Sequence, residues 1–266
     1  MSVRAARLSL RTAALGYLFL LLAAPVGLIF FRTFENGIGP AWDAVTTPEA
    51  QHAFYLTFVM IAVAVPLNTI FGVTCALMLV RSRMRGKAIV NAFIDLPFAV
   101  SPVVIGLALI LVYGNDGWFG GWLTEQGIQV IFSVPGMILA TIFVSLPFVV
   151  REVVPVLHEV GTEQEQAAST LGASGWQTFR RVTLPSIRWG LTYGIVLATA
   201  RALGEFGAVS VVSGKLSGET ETATLFVENR FHQFDLTGAY AASMVLALMA
   251  LATLLTMNVL NRRRTT

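Results

Sequence analysis

Long apolar runs alternate with short polar stretches along this chain. The runs fall at roughly 13–31, 53–80, 89–113, 130–150, 190–213 and 239–260. At about 1.5 Å of rise per residue, each can cross about 30 Å of hydrocarbon as a helix. Lipid offers no hydrogen-bond partners, so a spanning backbone must satisfy its own groups, and unbroken runs suit helices where barrel strands would alternate. The pattern predicts an all-α, polytopic membrane protein of about six transmembrane helices, forming one domain over residues 1–266. The largest polar interruption is 151–188.

That interruption is patterned as two short helices about a glycine. Thr162-Glu163-Gln164-Glu165 has the spacing of a capping box, and its acids suit a helix N-terminus. Gly172 stands where a C′ glycine would end a helix of about ten residues. Ser174-Gly175-Trp176-Gln177 reads as a second capping box, and Pro185 is expected to stop the second helix. Ala167 and Ala168 give the first helix a smooth face. Such a face suits either packing on the chain's own bundle or docking of another protein.

Composition supports a membrane chain: 55% of residues are hydrophobic and 12% charged, where soluble domains carry about a quarter charged. Mean hydropathy is +0.72. A formal net charge of +3 argues against a nucleic-acid partner. Cys75 is the single cysteine, so no disulfide can form within the chain. The first run follows Arg4, Arg7 and Arg11 but exceeds a signal core and lacks a small-x-small cleavage site, so it is read as an uncleaved helix. With both termini cytoplasmic, the inner segments hold 14 of the 18 basic residues: Arg4, Arg7, Arg11, Arg81, Arg83, Arg85, Lys87, Arg151, Arg180, Arg181, Arg188, Arg262, Arg263 and Arg264. This asymmetry sets the orientation and puts 151–188 in the cytoplasm. Trp118 and Trp122, in an outer loop, suit an interfacial belt.

Several chemistries are missing. No G-x-x-x-x-G-K-[ST] loop is present; Gly86-Lys87-Ala88 lacks the upstream glycine and the hydroxyl. His158-Glu159 begins a zinc motif, but Thr162 stands where the second histidine would be. His52 and His232 lie in outer loops, and no metal site, nucleophile–base pair or catalytic residue is visible. The chain is not read as an enzyme. Arg201 lies about eleven residues into the fifth run, roughly 17 Å along a helix, with Glu205 at i+4. A charge at that depth costs about 2.5–3.5 kcal/mol, so the two either neutralise each other or line a watery path. Gly204 and Gly207 would permit close helix approach or a kink.

The loop's spacing carries a resemblance. Gln166-Ala167-Ala168, three residues, Gly172, nine residues, then Val182-Thr183-Leu184-Pro185 resembles the signature of permease subunits of bacterial ABC importers. That signature is Glu-Ala-Ala, three residues, Gly, nine residues, Ile-x-Leu-Pro, before the penultimate helix; here Gln166 replaces the acid and Val182 the isoleucine, with Glu165 adjacent. Ala200-Arg201-Ala202-Leu203-Gly204-Glu205-Phe206-Gly207-Ala208, continuing Val209-Ser210-Val211-Val212-Ser213-Gly214, is similar to sulfate/thiosulfate permeases of the W type. Molybdate permeases share its first part. Ile94-Asp95-Leu96-Pro97-Phe98-Ala99-Val100-Ser101-Pro102 is similar to the start of the third helix in the same group, and the resemblance covers roughly residues 50–260.

The resemblance implies a type I ABC importer permease fold in the bacterial inner membrane. It implies a coupling loop in which Glu165, Gln166, Ala167, Ala168, Gly172, Leu184 and Pro185 meet a cytoplasmic ATPase dimer. The same resemblance implies a second related permease, a periplasmic sulfate-binding protein, and no cofactor in this chain, ATP being held by the ATPase. Sulfate or thiosulfate is the expected cargo; molybdate or tungstate through a homodimer is the alternative. From other classes, a channel would show ATP-independent flux, and an intramembrane enzyme would need a catalytic pair that only Arg201 and Glu205 could offer.

Overall fold

Prolines and glycines decide where the apolar runs bend or stop. The computed structural model describes the backbone of residues 3–262 and the side-chain surroundings of 10–256. Of the terminal arginines that entered the charge count, Arg263 and Arg264 lie outside the described residues, as do the side chains of Arg4, Arg7 and Arg262.

The chain starts with α1 (Val3–Leu18), a π-helical turn at Phe19–Ala23 and α2 (Ala24–Phe34). Then come α3 (Ile38–Thr46) and the 34-residue α4 (Pro48–Arg81). Thr47 caps α4 by accepting the Ala50 N–H at 3.2 Å, with Pro48 at the first helical position, where its missing donor costs nothing. The third apolar run is two helices, α5 (Lys87–Ala99) and α6 (Pro102–Tyr113), bent by 114°. After α7 (Gly120–Glu125) come α8 (Val134–Val160), α9 (Glu163–Thr170), α10 (Gly175–Thr178) and α11 (Leu184–Leu203). The chain ends in α12 (Val209–Val212), α13 (Ala223–His232) and α14 (Leu236–Arg262).

Among the described residues, four stretches are long and apolar enough to span a membrane: Leu10–Phe34, Pro48–Arg81, Val134–Val160 and Leu236–Thr256. The bent α5–α6 pair makes a fifth if it is one span. The expected run 190–213 is not one helix. Helix α11 already starts at Leu184, carries Arg188 and Arg201, and ends at Gly204. Its 20 residues reach about 30 Å, enough by length. Arg201 therefore sits in its last turn, about 25 Å along, and not midway in a longer helix.

Helix α8 is the central post. Glycines let its neighbours approach its backbone: a Cβ at Gly72 of α4 would lie 2.7 Å from Val149 Cβ. On α11, a Cβ at Gly190 would lie 2.8 Å from the Glu152 carbonyl, and one at Gly194 3.0 Å from Val149 Cα. Without a hydrophobic driving force between helices in lipid, such close packing is what holds them. Buried Asn68 adds direction, donating to the Ile142 carbonyl (3.0 Å) and Ser145 Oγ (2.9 Å). Val73, Ala76, Val149, Val153, Leu157 and Ile187 fill the core near the 161–183 loop. Met60, Ile105, Met137, Val144, Val209 and Leu225 fill it near the opposite end. None of the apolar window in Leu10–Phe34 is buried.

Candidate functional site

The polar excursion is shorter than its sequence suggests. Helix α8 runs on to Val160 and α11 already holds 184–188, so only 161–183 leaves the bundle. Arg151 is a helix residue paired with Asp95 of α5: Nε donates to Oδ1 at 2.7 Å and Nη2 to Oδ2. Asp95 is a charge that sequence reasoning passed over. The signal was its place six residues into an apolar run, opposite an arginine that begins a polar one.

Gly161, with φ of 68°, turns the chain out of α8. The expected Thr162–Glu165 capping box does not form. The Thr162 side chain caps no backbone N–H; its Oγ1 accepts from Gln166 Nε2 at 3.1 Å. Glu165 is drawn inward instead. Arg81 Nε and Nη2 donate to its two carboxylate oxygens at 3.0 and 3.3 Å, and Thr183 Oγ1 donates to Oε1 at 2.9 Å. A fixed guanidinium outcompetes a backbone N–H because the charged, forked contact is the stronger one. Glu165 is thus committed within the chain and does not stand in for the charge missing at Gln166.

The other local signals are formed. Gly172 takes φ of +85° and closes α9 as a Schellman turn, its N–H on the Ser169 carbonyl and that of Ala173 on Ala168, each at 3.0 Å. Ser174 and Gln177 make the reciprocal capping box. Pro185 does not stop the second helix. A π-helical turn at Phe179–Thr183 widens the spiral just before it, so α10 continues into α11 through the position where proline cannot donate. The same device precedes Pro25, after the π turn at Phe19–Ala23.

The hairpin turns an apolar groove of about 780 Å³ outward, lined by Ala167, Ala168, Leu171, Val182, Pro185 and Trp189. Arg181 and Arg188 border it. Leu171 is 89% and Trp176 68% exposed, and Trp176 stacks on Phe179 with centroids 5.5 Å apart. Two large apolar side chains held out by the hairpin make it a candidate interaction surface. Gln166 and Ala167 are exposed, whereas Leu184 packs on the core beneath.

At the far end of α11 the chain breaks. Gly204 caps the helix, and a Cβ there would meet little, so its part is to end α11. Gly207 serves close approach: its Cβ would lie 2.9 Å from Pro102 Cβ, and one at Gly106 2.7 Å from Val211 Cβ. The bend of the third run and the break of the fifth thus touch. Between them Glu205, with its side chain 1% exposed, accepts the Ala208 N–H on Oε1 at 2.8 Å. Arg201 Nη1 lies 2.8 Å from Oε2, an ion pair outside hydrogen-bond alignment. Thr224 Oγ1 donates to the Glu205 carbonyl at 2.8 Å. Non-helical backbone at membrane depth survives only where protein buries it or water lines it. A second buried acid was missed: Glu221 accepts from Ser217 Oγ (2.9 Å) and Asn229 Nδ2 (2.8 Å). Alternating polar residues there gave no sign that one of them is enclosed.

The profile of the binding-protein-dependent transport system inner membrane component family matches residues 68–266. The chain is 51% identical over 250 residues to the sulfate transport system permease protein CysW of Synechocystis sp., covering 94% of this chain and 91% of that protein. It is 41% identical over 244 residues to the permease protein CysT of Synechococcus elongatus, covering 92% and 88%. A crystal structure of a bacterial ABC transporter that imports the acidic polysaccharide alginate superimposes with a TM-score of 0.80. That superposition covers 97% of this chain and 95% of that one at 18% identity, a likeness of fold alone. With the fold, the profile and near-full-length identity agreeing, the chain belongs to the family of inner membrane components of binding-protein-dependent transport systems, as a CysW-like ABC importer permease.

Proposed function

We propose that this chain is one permease subunit of an ATP-driven importer of sulfate, with thiosulfate as a second cargo, in the bacterial inner membrane. The observation that carries the cargo is the 51% identity to a CysW sulfate permease along almost the whole chain. Molybdate or tungstate gains no support from relatives named for sulfate. A CysT permease at 41% identity supports a heterodimer of two related permeases.

The basic residues at Arg81, Arg83, Arg85, Lys87, Arg180, Arg181 and Arg188 support a cytoplasmic position for the hairpin and both termini. The groove around Ala167, Ala168 and Pro185 is then the seat for an ABC ATPase, and the lack of a phosphate-binding loop in this chain is why one is needed. Closure of an ATPase dimer would carry the hairpins with it and switch the bundle between outward and inward access. A periplasmic binding protein would deliver its anion at the opposite end. The break at Gly204 and the bend before Pro102, beside Arg201, are the segment best suited to line the path.

Ala167→Arg places a long charged side chain on the groove and leaves the bundle untouched. The expected outcome is an unchanged thermal unfolding temperature with recovery of the co-expressed ATPase down about tenfold or more, as for a disrupted interface centre. Undiminished recovery would argue that the ATPase sits elsewhere.

A further inference from the structure

Resting on the reading of the hairpin as an ATPase seat, we infer that Arg81 is the positioning residue that makes the hairpin move with the bundle. Helix α9 hangs from α8 by Gly161 and Thr162 alone, and Gly161 takes a φ of 68°. A hinge of that kind would let a docked partner swing α9, with the α10 turn packed on it, relative to α8. Arg81 closes it. From the end of α4 its guanidinium donates to the Leu157 carbonyl at 3.1 Å and the Gly161 carbonyl at 2.5 Å, two of the groups that α8 leaves unpaired at its C-terminus. The same guanidinium grips both oxygens of Glu165 on α9. Thr183, buried where the π turn meets α11, binds the same carboxylate. One cation therefore ties α4, α8, α9 and the start of α11 at a single point.

The register explains why the acid stands where it does. Neighbouring residues on a helix differ by about 100° in direction, so position 166 faces outward while 165 faces the bundle. Gln166 is exposed and Glu165 is shielded, its side chain 21% exposed against 18% for Arg81. The charge in this chain serves the clasp. Arginine is required there, because a lysine has one nitrogen with three donors and cannot hold the fork to both Glu165 oxygens together with the two carbonyls.

The test uses the complete transporter in proteoliposomes, this chain with its partner permease, ATPase and binding protein, comparing wild type with Arg81→Lys, Glu165→Gln and the double variant. ATPase recovery, ATP hydrolysis and labelled sulfate moved per ATP are measured together. Both single variants are expected to keep the ATPase bound and hydrolysing while sulfate per ATP falls about tenfold, within the usual span of a coupling free energy. The double variant should be no worse than Arg81→Lys, since both act on one unit. Should Arg81→Lys prove unstable, Glu165→Gln decides alone, because it keeps the shape of the side chain and the carbonyl contacts of Arg81. Unchanged sulfate per ATP would overturn the clasp, as would loss of ATPase recovery in step with uptake, which would make these residues part of the seat. A wild-type complex without ATP-dependent sulfate uptake would instead refute the functional reading, and the clasp with it.

Discussion

Arg201→Ala is expected to abolish transport and to lower stability by about 3–5 kcal/mol, the cost of breaking a buried pair by removing one partner. Glu205 is the reason. Its side chain is 1% exposed, one oxygen starts α12 through the Ala208 N–H, and the other, without a hydrogen bond among the described residues, pairs with Arg201. Without the arginine, a carboxylate stays in an apolar site with half its charge unanswered. The 204–208 turn then rearranges, and the contact of α12 with α6 goes with it. Arg201 is itself 29% exposed, so the lower part of the range is expected. Glu205→Gln should cost less, since a neutral amide oxygen still accepts from Ala208. Thermal unfolding in detergent with labelled sulfate uptake checks both. Normal unfolding and normal uptake for Arg201→Ala would remove this pair from the path and from the fold's supports.

The second large effect is at Gly190. A Cβ there would stand 2.7 Å from Val156 Cγ2 and 2.8 Å from the Glu152 carbonyl. A rotamer change can move the valine but not the backbone oxygen. Nor can α8 retreat, because Val149 already touches Gly72 on its other flank and Asn68 pins α4 to α8. Overpacking by single methylenes costs about 1–3 kcal/mol, so Gly190→Leu should leave little monodisperse protein. Gly175→Ala is the control, as a Cβ at Gly175 meets nothing within 4 Å. Size-exclusion profiles and unfolding temperatures compare the two, and a wild-type profile for Gly190→Leu would contradict the close approach of α11 to α8.

How much of this was legible in the sequence follows from what each residue's partners are. Gly172 and the Ser174–Gln177 box were readable because a positive φ and a reciprocal cap involve neighbours a few residues apart. The Thr162–Glu165 box used the same reasoning and did not form, because Glu165 has a stronger partner 84 residues away in Arg81. Pro185 reads as a stop by its missing N–H, yet a π turn ahead of it absorbs the loss. The fifth run looked continuous because Gly204 and Glu205 interrupt it without ending its apolar character; only the contacts with Pro102 and Thr224 show the turn. Likewise Arg201 preceding Glu205 is the weaker order within a helix, but the helix ends between them, so that rule does not govern the pair. The departures gather at the hairpin and at the break in α11, where local preference yields to partners distant in the sequence.

The central claim is tested most directly by uptake. Proteoliposomes holding the complete complex with its binding protein are supplied in parallel with labelled sulfate or labelled molybdate, with and without ATP inside the compartment that the hairpin faces. Sulfate should accumulate only with ATP, and molybdate at equal concentration should not match it. Molybdate uptake without sulfate uptake, or sulfate flux through the purified chain without ATP, would contradict the account.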